Sequence, residues 1–262
     1  MQVLTLHPLA QSEIVDSGHN IVDALFDRSP WTARTVPTSR ADLARRVATG
    51  GFPEVLGRGD PERRAAWFGS YLTSLLQRDV RDMAHIEGLR ELPRLLGLLA
   101  ARTGALMNTS EVARSAAISD TTLRRYLALL EATFLVQPLP AWSANLGKRL
   151  VKAPKLHLLD TGLAAYLQGV SAPDTLAASA HFGALVESFV VQEVRRQLGW
   201  SRAQASAWHF RTAAGREVDL VLERSDGALV GIEVKAGATL HAADASGLAA
   251  FAEATGERCV RG

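Results

Sequence analysis

Apolar and polar positions alternate in two short runs between residues 215 and 235, each with the two-residue period of a half-buried strand. The first is Gly215-Arg216-Glu217-Val218-Asp219-Leu220-Val221-Leu222-Glu223. The turn Arg224-Ser225-Asp226-Gly227 leads to the second, Leu229-Val230-Gly231-Ile232-Glu233-Val234-Lys235. Alternation puts Val218, Leu220 and Leu222 on one face and Glu217, Asp219 and Val221 on the other. In the second run Val230, Ile232 and Val234 share a face, leaving Glu233 and Lys235 opposite. Pairing of the two strands then gathers Asp219, Glu233 and Lys235 on one side of a sheet. Two carboxylates beside one ammonium are costly to desolvate, and a divalent cation is the usual compensation.

Upstream the pattern has mostly helical spacing. Residues 1–13 read as a strand and its exit, and residues 20–48 as helix interrupted at Pro30 and Pro37. Gly50-Gly51-Phe52-Pro53 breaks the chain. From Pro61 to about Glu87 the stripe Trp67, Tyr71, Leu72, Leu75, Leu76, Val80 predicts a core-facing helix. Leu92 to Arg102 predicts a helix ending at Gly104. Asn108-Thr109-Ser110-Glu111-Val112-Ala113 starts a short one, and Ser119 caps a third over Thr121 to Ala132. This third helix carries Leu123, Leu127 and Leu130 on one stripe and exposes Arg124, Arg125 and Ala128. With Phe134-Leu135-Val136 as a wing strand, the outline is a winged helix-turn-helix, and Arg124 and Arg125 are its candidate nucleic-acid contacts. The strand Lys155-Leu156-His157-Leu158-Leu159 leads to Asp160, which reads as a helix N-cap rather than a catalytic acid.

A polar, Ala/Ser-rich stretch, residues 169–180, marks a domain boundary. The helix Phe182 to Leu198 follows, with Gly183, Ala184, Glu187, Val191, Val194 and Leu198 on one face. Glu187 lies inside that stripe and needs a partner, with Glu193 a weaker candidate at its edge. Arg195 and Arg196 fall on the side expected to be solvated. Ala207 to Arg211 predicts a strand and Asp244 to Ala254 a final helix. The chain stops at Cys259-Val260-Arg261-Gly262, just where another strand is expected.

Composition narrows the picture modestly. At 262 residues the chain can build two modest domains, and 47% hydrophobic with 21% charged residues is ordinary for a globular protein. A formal net charge of +2 does not by itself argue for nucleic acid. The basic residues are clustered, however, at Arg45-Arg46, Arg63-Arg64, Arg124-Arg125, Lys148-Arg149 with Lys152 and Lys155, and Arg195-Arg196. Most such clusters are solvated helix faces. One cysteine, Cys259, excludes an internal disulfide and a cysteine-rich zinc site. No apolar run approaches the ~18 residues of a membrane span, and no signal segment opens the chain, so a cytoplasmic location and no membrane partner are expected.

A helix with Glu187, a strand with Asp219, then a strand with Glu233-Val234-Lys235 resembles the PD-(D/E)xK, restriction-endonuclease-like core. That resemblance implies Asp219 and Glu233 as magnesium ligands, Glu187 as an accessory ligand, and Lys235 as the group that positions the attacking water. Mn²⁺ would serve as a surrogate for Mg²⁺. Gly50 to Pro53, Ser70-Tyr71-Leu72 with Arg78-Asp79-Val80, the Asn108 to Phe134 segment, Lys155 to Leu163 and the Glu217 to Lys235 element together resemble a wider family. It comprises prokaryotic AAA+-type ATPases whose C-terminal half is a domain of unknown function.

The resemblance implies residues 1–28 as a remnant of a preceding ATPase module and 29–88 as a helical linker region. It further implies 89–170 as a winged helix-turn-helix and 171–262 as a C-terminally trimmed nuclease-like domain. There is no G-x-x-x-x-G-K-[ST] segment, hence no ATP site in this chain. The expected fold is α/β (α+β), a mostly helical N-terminal part followed by a mixed-sheet domain. The expected function is a module that binds double-stranded DNA or a protein partner, with a Mg²⁺-dependent DNA nuclease acting at Asp219, Glu233 and Lys235 as the alternative.

Overall fold

Most of the buried apolar positions between residues 44 and 189 collapse onto one largely helical core. The computed structural model describes residues 5–27, 38–80, 91–237 and 239–262. Helices α1 (Gln11–Ile14) and α2 (Ile21–Phe26) precede α3 (Arg40–Thr49), α4 (Pro53–Leu56) and α5 (Pro61–Leu75). Their starts are set locally. Asn20 accepts from the amides of Val22 and Asp23, Ser39 from that of Asp42, and Asp60 from that of Glu62. Pro53 and Pro61 stand in first turns, where a missing N–H costs nothing.

In α5 the buried residues are Arg64, Phe68 and Leu72, while Trp67, Tyr71 and Leu75, with Leu76 just past its end, pack half-buried around them. The breaks expected at Pro30 and Pro37 and the helix end near Glu87 lie outside the described residues. Of the strand and exit expected over 1–13, residues 1–4 lie outside the described residues, and residues 5–10 form no strand. They run as a strap whose Leu9 N–H donates to the Gly51 carbonyl at 2.8 Å.

Three further helices, α6 (Leu92–Ala101), α7 (Thr109–Ala116) and α8 (Asp120–Ala132), occupy the segment expected to be a helix-turn-helix. Asn108 caps α7 on the Glu111 amide and Ser119 caps α8 on the Thr122 amide, each at 3.1 Å. Ala117, left-handed at φ 57°, turns the chain between them. Leu123, Leu127 and Leu130 are buried, and Arg124, Arg125 and Ala128 are exposed. Strand β1 (Val136–Leu139) pairs antiparallel with β2 (Lys155–Leu158), and Leu106 bridges to Lys155 on the other side. The wing strand starts two residues later than the Phe134 expected, because Phe134 sits in a left-handed turn (φ 59°) with its ring half exposed. Helices α9 (Leu146–Val151), α10 (Thr161–Leu167) and α11 (Pro173–Ala178) follow. Leu176 of α11 is buried in the helical core, within the stretch read as a polar linker.

Helix α12 (Phe182–Leu198) joins the two halves. Phe182, Leu185, Val186 and Phe189 belong to the helical core, whereas Val191 and Val194 pack against Leu220, Leu222 and Val230 of the sheet. That double contact overturns the one-sided stripe. Gly183 and Ala184 are exposed, and Arg196 is buried rather than solvated. Past its partly exposed first turn the helix is clamped between a core and a sheet, so the polar groups buried there must find partners.

The second sheet has the order β3 (Ala205–Arg211), β4 (Glu217–Arg224), β5 (Leu229–Ile232), β6 (Cys259–Arg261). Its first two pairings are antiparallel and the last is parallel. Cys259–Arg261 is thus itself a strand. Helix α13 (Ser246–Thr255) covers the face opposite α12, with Phe251 against Val218, Val221 and Leu229. It lies so close to β4 that a Cβ on Gly247 would stand 1.8 Å from the Glu217 carbonyl oxygen. The architecture is the mixed α/β arrangement expected, helical first and then a four-stranded mixed sheet.

Candidate functional site

A β-bulge positions Asp219. Phe210 pairs with Val218 and Trp208 with Val221, so β4 carries one residue more than β3 between these pairs. Strict alternation would group Val218 with Leu220 and Leu222. Instead Val218 joins Val221 and Leu229 on the α13 side, and Leu220 and Leu222 face α12. The extra residue re-aims Asp219 toward α12, the usual consequence of a bulge next to a polar site.

There Asp219 meets a lysine from a different part of the chain. Lys155, the first residue of β2, donates from Nζ to Asp219 Oδ1 at 2.8 Å and to Glu187 Oε1 at 2.7 Å. Glu217 Oε1 stands 3.7 Å from the same nitrogen and pairs through its other oxygen with Arg211 at 3.2 Å. The Lys155 side chain is 2% exposed. Burial disfavours its charge, yet Glu187 and Asp219 hold its pKa above that of an ordinary lysine. Burial pushes the Glu187 carboxyl up to about 7 against the pull of Lys155, with Asp219 and Glu217 adding to the rise. Gly104, left-handed at φ 79°, approaches so closely that a Cβ there would lie 3.3 Å from Glu187 Oε1.

Glu233 and Lys235 lie just past the end of β5 and pair with each other at 2.5 Å. Asp219 Oδ2 accepts the Val234 amide at 3.0 Å, which ties the two pairs side by side. Burial pushes the Glu233 carboxyl up, and its Oε2 is buried without a hydrogen-bond partner. The hydrogen bond to Glu233 holds Lys235 above the ordinary lysine range.

The expected residues Asp219, Glu187, Glu233 and Lys235 are therefore near one another, but Asp219 and Glu187 are paired to an additional lysine, Lys155, and Glu233 to Lys235. As arranged, this donor set does not fit a divalent ion, because the Lys155 ammonium stands between Glu187 and Asp219 and Glu233 is turned to Lys235. Among the described residues no three His, Cys, Asp or Glu side chains are grouped to hold a metal. Lys155 was legible only as one of several basic residues. The one available signal was its place at the head of an otherwise apolar strand, in phase with His157.

A second buried network fixes α12 from the other side. Asp160, fully buried, accepts from the amides of Gly162 (2.8 Å), Leu163 (3.2 Å) and Gly51 (2.7 Å), and from Arg196 Nη2 (2.9 Å). Arg196 also donates to Glu193 Oε1 at 3.1 Å and to the Leu9 carbonyl at 2.9 Å, and the Gln11 amide donates to Glu193 Oε2 at 2.6 Å. Asp160 is thus the N-cap expected and, beyond that, the centre of a contact among the N-terminal strap, the Gly50-Gly51 bend and α12. Arg195 is half-buried, donates to the Pro138 carbonyl at 3.1 Å, and is pulled down to about 10 by burial. Arg124 and Arg125, far from these clusters in sequence, lie exposed on α8. Neither makes a hydrogen bond or ion pair among the described residues.

Among the described residues no helix is long and apolar enough to cross a membrane. No solved structure matches the chain. It is 34% identical over 211 residues to the uncharacterized protein Rv2008c of Mycobacterium tuberculosis and to the uncharacterized protein Mb2031c of Mycobacterium bovis. Each match covers 80% of this chain and 46% of the relative, so the chain spans about half the length of the curated relatives it matches. Residues 182–262, from α12 to β6, match the family model described as Domain of unknown function (DUF4143). Residues 40–174, from α3 into α11, match the model described as Domain of unknown function (DUF8612), and by that match over more than half its length the chain belongs to this family.

Proposed function

We propose that the chain is a DNA-binding module, the downstream half of an AAA+-type ATPase, with no ATP hydrolysis of its own. The observation that carries the DNA reading is the placement of Arg124 and Arg125. They stand side by side, exposed and unpaired among the described residues, on the helix whose opposite stripe is anchored in the core. In this position of a helix-turn-helix, guanidinium groups reach phosphates or base edges, and each phosphate neutralised releases counterions. The ATPase assignment is supported by the order of the motifs from Gly50 to Lys235 and by relatives about twice as long as the matched stretch.

The restriction-endonuclease-like half then serves recognition or support. In the alternative, nuclease reading, Asp219, Glu233 and Glu187 hold Mg²⁺ and Lys235 positions water. The buried Lys155 ammonium between two of those acids weighs against it.

Fluorescence anisotropy with a labelled duplex tests the proposal. Replacing both Arg124 and Arg125 by Ala is expected to weaken binding roughly tenfold or more and to lower the salt slope by about two. Unchanged affinity would leave α8 out of any DNA contact and favour a protein partner. Duplex cleavage in Mn²⁺ that Asp219→Ala abolishes would favour the nuclease.

A further inference from the structure

We infer that Lys155 is the resident cation of the Glu187, Asp219 and Glu217 cluster, and that the wild-type protein takes no divalent cation there. The inference is independent of whether α8 contacts DNA. An ammonium has three donors, and here two are spent on Glu187 and Asp219 at 2.7 and 2.8 Å while Glu217 stands within 3.7 Å. Two largely buried carboxylates brought together, with Glu217 at their rim and shared with Arg211, are unstable without a positive charge. Lys155 supplies that charge from inside the fold, where hard oxygen donors of this kind otherwise attract a metal.

The lysine has no easy way out. Its strand is held on both edges, by the register Leu139↔Lys155 and by the bridge Leu106↔Lys155. Next to it the Leu156 amide donates to Ala105, the Gly104 amide to Leu156, and the Met107 amide to Pro154, at 3.1, 2.8 and 2.8 Å. These bonds fix the backbone of Lys155, and the side chain itself is enclosed, 2% exposed. The second oxygen of Asp219 is likewise committed, to the Val234 amide. A metal would have to displace one ion pair and break a backbone contact. The same bonds tie the winged helix, which owns Lys155, to the sheet that owns Asp219.

Manganese binding followed by electron paramagnetic resonance on the whole chain tests this. Wild type is expected to hold no Mn²⁺ at the cluster at millimolar metal. Lys155→Ala, which empties the space and leaves the acids, is expected to gain a site at least roughly tenfold tighter than any in wild type. That site should vanish when Asp219→Asn is added and should be absent in Lys155→Arg. Wild type binding one Mn²⁺ that Asp219→Asn removes would overturn the inference, as would a folded Lys155→Ala that gains none.

Should Lys155→Ala fail to fold, amine acetylation read by mass spectrometry decides on folded protein. In wild type Lys155 is expected to react roughly tenfold or more slowly than exposed Lys152, because a protonated amine held by two acids is not nucleophilic. In Glu187→Gln/Asp219→Asn the rate at Lys155 should rise severalfold while that at Lys152 stays unchanged. Equal reactivity of Lys155 and Lys152 in wild type, or no change in the double variant, would overturn it.

Discussion

Replacing Asp160 by Asn changes one oxygen to an NH₂ group and almost nothing in shape, yet the structure makes it an expensive substitution. The carboxylate accepts four hydrogen bonds, two per oxygen, and every donor is an amide or a guanidinium. If the remaining oxygen keeps capping α10 at Gly162 and Leu163, the new NH₂ faces the Gly51 amide and Arg196, donor against donor. The Gly51 N–H then loses its partner at about 1–2 kcal/mol. Arg196 keeps Glu193 and the Leu9 carbonyl but loses one of its two buried counter-charges, which adds about 2 kcal/mol, less than the ~3–5 kcal/mol of a buried charge left wholly unpaired. The Asn variant is thus expected to lose about 3 kcal/mol. Asp160→Ala also forfeits the cap and is expected to lose about 5 kcal/mol, most or all of the stability of a domain of ordinary strength. Urea unfolding followed by circular dichroism reads this as a lower midpoint at unchanged slope. A double-mutant cycle of Asp160→Asn with Arg196→Met should return a coupling of about 2 kcal/mol. An Asn variant within about 1 kcal/mol of wild type, or additive effects in the cycle, would refute the view of Asp160 as a charged hub and leave it a simple N-cap.

Two further outcomes follow from the same geometry. Gly50 has φ 70° and ψ −154°, and a Cβ there would lie 1.9 Å from Asp160 Oδ1, so Gly50→Ala should cost at least about 3 kcal/mol by the same assay. His157 and His209 are pushed down by burial, to about 3 and about 4, so both stay neutral in the folded protein while the unfolded imidazoles protonate below about 6.5. The unfolded chain then binds the extra protons, and each histidine should remove about 2 kcal/mol of stability between neutral pH and pH 5. Glu187, raised to about 7, works in the opposite sense as it protonates, so the informative quantity is a difference. His209→Gln should show about 2 kcal/mol less acid destabilisation than wild type across that interval, and an identical pH profile would refute the neutral buried imidazole.

Features that depend on near neighbours in the chain were legible without tertiary information. Asn108 and Ser119 cap their helices, Leu123, Leu127 and Leu130 form the buried stripe of α8, and Gly227 turns the β4–β5 hairpin at φ 88°, because each is settled within a few residues. The requirement that Glu187 find a partner was legible in the same way, since a carboxylate inside an apolar stripe cannot stand alone.

The identity of that partner was decided only by the fold. Lys155 is 32 residues from Glu187 and 64 from Asp219, and its place at the head of an apolar strand does not say which acids it meets until the fold brings β2, α12 and β4 together. Arg196 looked like the solvated side of a helix because helical period records which face a residue shares, not how many neighbours cover it. Asp219 reached the α12 face through a bulge, which alternation cannot anticipate, since one unpaired residue reverses the phase of a strand. The sequence determined which elements form and which charges need partners. Which charges meet was settled by tertiary packing, because a buried ion pair is made by whatever opposite charge the assembled cores bring within hydrogen-bonding distance.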